Sequence, residues 1–99
     1  MKLYIDTSDR EKIIIGIDEK RYESLAKEDS SQKLLPFIDE ILKKEKKKVS
    51  DIDKIEVDTG PGSFTGLRVG VAVANTLGWA LKVPVNGRAL TEQVEIVYK

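Results

Sequence analysis

Apolar and polar positions follow two different periods along this chain. Residues 2–6 (KLYID) form a short strand-like run that ends in polar Asp6, Thr7 and Ser8. Residues 12–18 (KIIIGID) are β-branched and almost continuously apolar. Such a run suits a strand near a sheet centre or buried on both faces. Residues 21–27 (RYESLAK) alternate moderately. With connections at 9–11 and 19–20, the three read as an antiparallel meander. Over 29–48 the period changes: apolar residues fall at 34, 35, 37, 38, 41 and 42, which is helical spacing. Ser30 or Ser31 is a natural N-cap. Pro36 lacks the N–H a helix interior needs, so a kink or a late start is expected there. Residues 54–58 (KIEVD) return to strand character, 63–82 form a long apolar helix, and 83–86 (VPVN) read as a fifth short strand. In 87–99, VEIVY alternates like a strand whereas ALTEQV could start a helix. The order βββαβαβ predicts an α/β domain with a mixed five-stranded sheet, two main helices and right-handed parallel crossovers.

Composition narrows the function more than the fold. The chain has 99 residues, which fits one small domain with a thin core. Seventeen basic and 17 acidic residues balance, so no global pull toward nucleic acid or membrane follows. There is no cysteine and no histidine. Disulfides, Cys-based zinc sites and a Ser-His-Asp triad are therefore excluded within these residues. The start MKLYIDTSDR has no apolar signal core, and no uncharged apolar stretch approaches about 20 residues. The expected compartment is the cytoplasm. Lys43 to Lys48 include five lysines, favoured here as dipole compensation on a solvated helix end over a phosphate-backbone contact.

The stretch 58–70, DTGPGSFTGLRVG, carries the candidate chemistry. A phosphate loop requires G-x-x-x-x-G-K-[ST], yet Gly60 and Gly66 have five residues between them rather than four, and Leu67 and Arg68 follow. The dinucleotide fingerprint is missed by one residue, because the glycines fall at 60, 62 and 66. A strand–loop–helix start can still bind an anion through free N–H groups, but Asp58 opposes that and Ser63 or Thr65 could simply cap the helix. Chemistry alone favours a structural loop.

The following helix carries a second pattern. Gly66, Gly70, Ala74 and Gly78 recur every four residues, which makes one side-chain-poor stripe. Helical glycine costs about 1 kcal/mol against alanine, so three of them require a close approach of another backbone. Leu67, Val69, Val71, Val73, Leu77, Trp79 and Leu81 spread round the rest. A helix apolar nearly all round is buried on more than one side. One side meets the sheet. The other meets either the preceding helix or a second chain.

These strings also carry a resemblance. IDTS (5–8), SQKLLPFIDEIL (31–42), GPGSFTGLRVGVAVANTLGWAL (60–81) and VPV (83–85) resemble the N-terminal lobe of the TsaB (YeaZ) family, over residues 1 to 88; the tail from 89 does not align. The signature loop comprises Gly60, Pro61, Gly62, Ser63, Thr65, Gly66 and Arg68. The resemblance implies a single ASKHA, ribonuclease-H-like lobe spanning the chain, cytoplasmic, in a family whose members continue into a second lobe. It implies a non-catalytic subunit that binds a TsaD-type catalytic subunit and supports formation of tRNA N6-threonylcarbamoyladenosine (t6A), within a possible wider t6A complex. Homodimers when alone are implied by a similar surface. The paralogous TsaD family carries histidine metal ligands after the strand corresponding to VPV; NGRALTEQV holds none. The resemblance thus implies no catalytic residue, no metal and no cofactor, with ATP bound only in a complex. The family pairs through its two helices, which makes Leu34, Phe37, Ile38 and Ile41, and Leu67, Gly70, Val71, Ala74 and Gly78, interface candidates.

Two other functions compete. A nucleotide-binding phosphotransferase fragment of the same superfamily would use Asp6, Thr7, Ser8 and the 60–66 loop as a remnant phosphate site. An RNA-binding module would use the lysine run, but no aromatic platform accompanies it, and direct tRNA contact is not expected.

Overall fold

The structure is a computed structural model and describes residues 1–25 and 30–88. Strands β1 (Lys2–Asp6), β2 (Lys12–Ile17) and β3 (Lys20–Leu25) form the expected antiparallel meander. Helix α1 (Ser30–Lys44), a 3-10 turn (Val49–Asp51), β4 (Lys54–Val57) and α2 (Phe64–Leu81) follow. The sheet order is β3-β2-β1-β4, with β4 parallel to β1. Among the described residues the sheet is mixed and four-stranded, where five strands are expected.

The fifth strand fails for a local reason. Lys82 ends α2 in the left-handed conformation, and Asn86 and Gly87 also take positive φ. Only three residues separate these two turns. Val85 therefore makes an isolated parallel bridge to Ile55 and no ladder. The readings placed on residues 26–29 and 89–99 lie outside the described residues.

Alternation in the strands decides which face is covered. Leu3 and Ile5 pair with Ile17 and Ile15 on one side and with Ile55 and Val57 on the other, and all six are buried. Both helices lay their inner faces on this one side, adding Leu34, Ile38, Ile41, Leu42, Val71 and Ala74 to a single core cluster. Each fully buried Leu or Ile contributes about 1.5–3 kcal/mol relative to exposure. β2 lies inside the sheet, as its apolar run suggests, yet Ile14 on the far face is only half-buried. α1 begins at Ser30, six residues before Pro36, so the late start does not occur; Pro36 itself is exposed.

Candidate functional site

The end of β1 and the glycine loop meet at the open end of the β1–β4 pair. Asp58 donates its N–H to the carbonyl of Ile5 at 2.9 Å, which continues the parallel ladder one step beyond β4. The chain then turns at Gly60, where φ is 111° and the peptide to Pro61 is cis. The Gly60 N–H donates to Asp58 Oδ1 at 2.9 Å. Ser63 donates its N–H to the carbonyl of Ser8 at 2.7 Å and caps α2, its Oγ accepting from the Gly66 N–H. A side chain at Gly62 would place Cβ 2.7 Å from the Ser8 Cβ. The two loops are thus in direct backbone contact.

Thr7 makes the seam. It is fully buried, and its hydroxyl donates to the carbonyl of Gly66 in the first turn of α2. A Cβ at Gly66 would run into the Thr7 carbonyl oxygen, and one at Gly70 into Thr7 Oγ1. At the far end of the helix, a Cβ at Gly78 would run into the Val85 side chain. The stripe of small residues therefore serves a close approach, as its spacing requires, and the approach is to the chain's own β1 end and Val85.

This placement sets most of the interface candidates within the chain's own core. Leu34, Ile38, Ile41, Leu67, Gly70, Val71, Ala74 and Gly78 all lie inside the chain, and Phe37 is half-buried against the core. None of the fully buried ones can touch a partner. The second apolar side of α2 is also accounted for within the chain. Val69, Val73, Leu77 and Leu81 are half-buried against the core cluster, and α1 packs beside α2. What α2 leaves to solvent is a narrower arc of Phe64, Thr65, Arg68, Ala72, Thr76, Trp79 and Ala80. Trp79 is 76% exposed, the most of the exposed large apolar side chains. Arg68 lies over the Phe64 ring at 5.5 Å.

The remnant phosphate site is also internally engaged. Asp6 accepts from the Ser8 N–H at 2.9 Å, from Ser8 Oγ at 2.6 Å and from the Tyr4 hydroxyl at 3.2 Å. Thr7 is out of reach of any ligand. Beside the seam lies a shallow open cleft of about 570 Å³, lined by Ser8, Asp9, Arg10, Ser63, Phe64 and Thr65. Among the described residues no three His, Cys, Asp or Glu side chains gather as a metal site.

Two clusters escape the sequence reading. On the open sheet face Arg21 lies 4.1 Å above the Tyr4 ring, crossing Gly16, which has no side chain to block it. Burial, with Asp6 nearby, raises the Tyr4 hydroxyl above its usual pKa. On the helix side the Tyr22 hydroxyl donates to Glu45, which also binds Lys20 at 3.0 Å. Those bonds hold the Glu45 carboxyl below its ordinary range. The alternation of Tyr22 with charged Arg21 and Glu23 gives a weak signal for Tyr22 facing the helices; no sequence signal ties it to residue 45.

Known proteins share this arrangement. The family described as TsaD, tRNA N6-adenosine threonylcarbamoyltransferase, matches residues 23–87, so the fold and loop pair fall in the class of TsaD-like domains. The protein from Bacillus subtilis (strain 168) named tRNA threonylcarbamoyladenosine biosynthesis protein TsaB is 35% identical over 92 residues, covering 85% of this chain and 38% of that protein. The TsaB of Haemophilus influenzae is 39% identical over 61 residues, 62% of this chain and 26% of that protein. The solved structure of YeaZ from Pseudomonas aeruginosa superposes with a TM-score of 0.75 at 27% identity, covering 89% of this chain and 43% of that one. Within the TsaD-like class, the chain belongs to the TsaB (YeaZ) family. It spans between 26% and 38% of the length of the curated relatives it matches.

Proposed function

We propose that this chain is the N-terminal, ASKHA-type lobe of a non-catalytic subunit that docks on a TsaD-type catalytic subunit and supports t6A formation on tRNA in the cytoplasm. Membership of the TsaB family supports the pathway. The observation that carries the docking is Trp79, 76% exposed on the outer arc of α2. It is flanked by small Ala72, Thr76 and Ala80, which leave the indole accessible to a flat apolar surface. Exposed aromatics of this kind anchor interfaces because one ring removes a large apolar area from water. The docking surface is thus the solvent arc of the helical layer, with the buried residues of the stripe behind it holding α2 in place. The reading assigns no catalytic step to this chain and leaves ATP to the assembled complex, where further t6A proteins join.

Trp79 is the only tryptophan, so it reports its own burial. Mixing the chain with a TsaD-type subunit lacking tryptophan at the contact should shift the emission to the blue and produce co-elution on size exclusion. Trp79→Asp should abolish both while the far-UV spectrum of the free chain stays unchanged. Absence of co-elution by the unmodified chain rejects the reading.

A further inference from the structure

Residues 43–48 read KKEKKK, and the structure divides their five lysines into two groups. Lys43 and Lys44 stand in the last turn of α1 and supply the dipole compensation expected of the run. Lys43 also binds Asp39 at 3.0 Å, and Lys44 lies 5.1 Å from the centre of the Tyr22 ring. Lys46, Lys47 and Lys48 follow the helix end, beyond the turn over which its dipole acts. All three are exposed, and among the described residues none of them forms an ion pair. The one acid inside the run is withdrawn from them. Glu45 is held against β3 by the Tyr22 hydroxyl and the Lys20 ammonium, and its side chain is only 15% exposed. Downstream, Asp51 accepts the Lys48 N–H at 2.8 Å, and Asp53 pairs with the N-terminal ammonium at 3.1 Å. The backbone that carries the three cations is fixed as well. The Lys46 N–H donates to the Lys43 carbonyl at 3.1 Å and the Lys47 N–H to the Leu42 carbonyl at 2.8 Å. These two bonds make a Schellman closure, which sets Lys46 in the left-handed conformation at φ 56°. Glycine takes that position without steric cost. A lysine there destabilises the turn and adds a charge to it.

We propose that Lys46, Lys47 and Lys48 bind the phosphate backbone of tRNA, so that this lobe touches the nucleic acid directly as well as its protein partner. The proposal rests on the reading that the chain serves t6A formation on tRNA, and adds a contact that the balanced net charge does not announce. Three adjacent ammonium groups on an ordered turn attract a row of phosphates and release the counterions condensed on them. No aromatic residue lies within 43–51, and Tyr22 is engaged by Glu45 and Lys44, so no ring is offered to a base. The contact therefore follows the backbone and not the base sequence, which suits the double-stranded arms of a tRNA. Three free lysines are fewer than the roughly four to eight of a lipid-binding cluster, which favours RNA over an anionic membrane. The run sits at the end of α1 and uses no residue of the solvent arc of α2. Docking through Trp79 and binding of tRNA are thus separate contacts.

Fluorescence anisotropy of an end-labelled, unmodified tRNA transcript titrated with the 99-residue chain tests this, with no second protein present. A dissociation constant of roughly 10–1000 µM at about 50 mM salt is expected. Plotted against salt on logarithmic axes, the affinity should fall with a slope of about 2–3, from about 0.7–0.9 for each of three lysines. The variant K46Q/K47Q/K48Q should lose at least about tenfold in affinity and flatten the slope, whereas K46R/K47R/K48R should retain both. Lys46→Gly separates binding from folding. It should raise the urea midpoint, because glycine relieves the left-handed position, and still weaken tRNA binding by about threefold to tenfold. Co-elution with a TsaD-type subunit should persist in all these variants. A native chain that fails to co-elute but binds tRNA in this way rejects the docking and supports the contact. No binding up to about 1 mM protein overturns the proposal. So does an affinity that ignores salt, the triple glutamine variant or Lys46→Gly. Tighter binding to vesicles of about 30% phosphatidylserine than to tRNA at equal salt overturns it as well, in favour of a membrane surface.

Discussion

Thr7 is the residue on which two distant segments depend. Its hydroxyl meets the Gly66 carbonyl inside the core, and its backbone oxygen occupies the space that a side chain at 66 would take. Thr7→Val keeps the shape but removes the hydroxyl bond to that carbonyl, which keeps its place in the helix ladder, so a loss of about 0.5–1.5 kcal/mol is expected in urea denaturation. Gly66→Ala is the sharper test. In an ordinary helix this change stabilises by about 1 kcal/mol. Here the new methyl group meets Thr7, and a net loss of about 1–3 kcal/mol is expected instead. A stabilised Gly66→Ala would mean that the seam is looser than the geometry implies. The sequence made the need for a close approach legible, because three glycines in one helical stripe have no cheaper explanation. It could not say what approaches. Spacing fixes which residues share a face of a helix, whereas the direction of that face depends on how the chain returns to the sheet. The small stripe therefore left its neighbour open, and that neighbour is Thr7 at one end and Val85 at the other.

Helices and strands join through contacts that local pattern does not encode. Tyr22 and Lys20 on β3 both bind Glu45, just past the end of α1, and so tie the helix to the sheet edge. The Tyr22 bond, then the Lys20 bond, hold the Glu45 carboxyl below its ordinary value of 4.5. A depressed folded value means that the stabilisation is present above pH 4.5 and is lost as pH falls through the folded value. The raised values of Lys20 and Tyr22 have the opposite sign, and their share is lost only as pH rises through those folded values. Acid titration of stability should therefore fall away less steeply in Glu45→Gln than in the native chain, and the two curves should converge in strong acid. Parallel curves would mean that the cluster adds nothing. At the other edge, Asn86 substitutes a side-chain amide for a strand at Val57. Asn86→Ala should raise amide exchange at Val57, since that N–H loses its acceptor. The meander, both helices and β4 were readable from periodicity alone. The fifth strand was not, because two left-handed turns shorten VPV to one bridge, and positive φ at Lys82 leaves no mark in an apolar pattern.

Taken whole, the molecule is a two-layer domain with one sheet face covered by helices. The charge balance and missing histidine limited its chemistry in advance, and the signature loop identified its family. The division of labour between its surfaces is a property of the fold: an inner stripe that packs and an outer arc that carries Trp79. The seam at Thr7 also bears on how the chain reaches this form. Its two ends are 59 residues apart, and the meander and α1 lie in sequence between the paired strands β1 and β4. Closing so long a span is costly before native contacts repay it, so the seam belongs to the last stage of assembly. Thr7→Val should then leave the refolding rate nearly unchanged and accelerate unfolding, an asymmetry visible in the two limbs of a denaturant chevron. The glycine loop would thus act as a kinetic latch, setting how long the native state survives once it has formed.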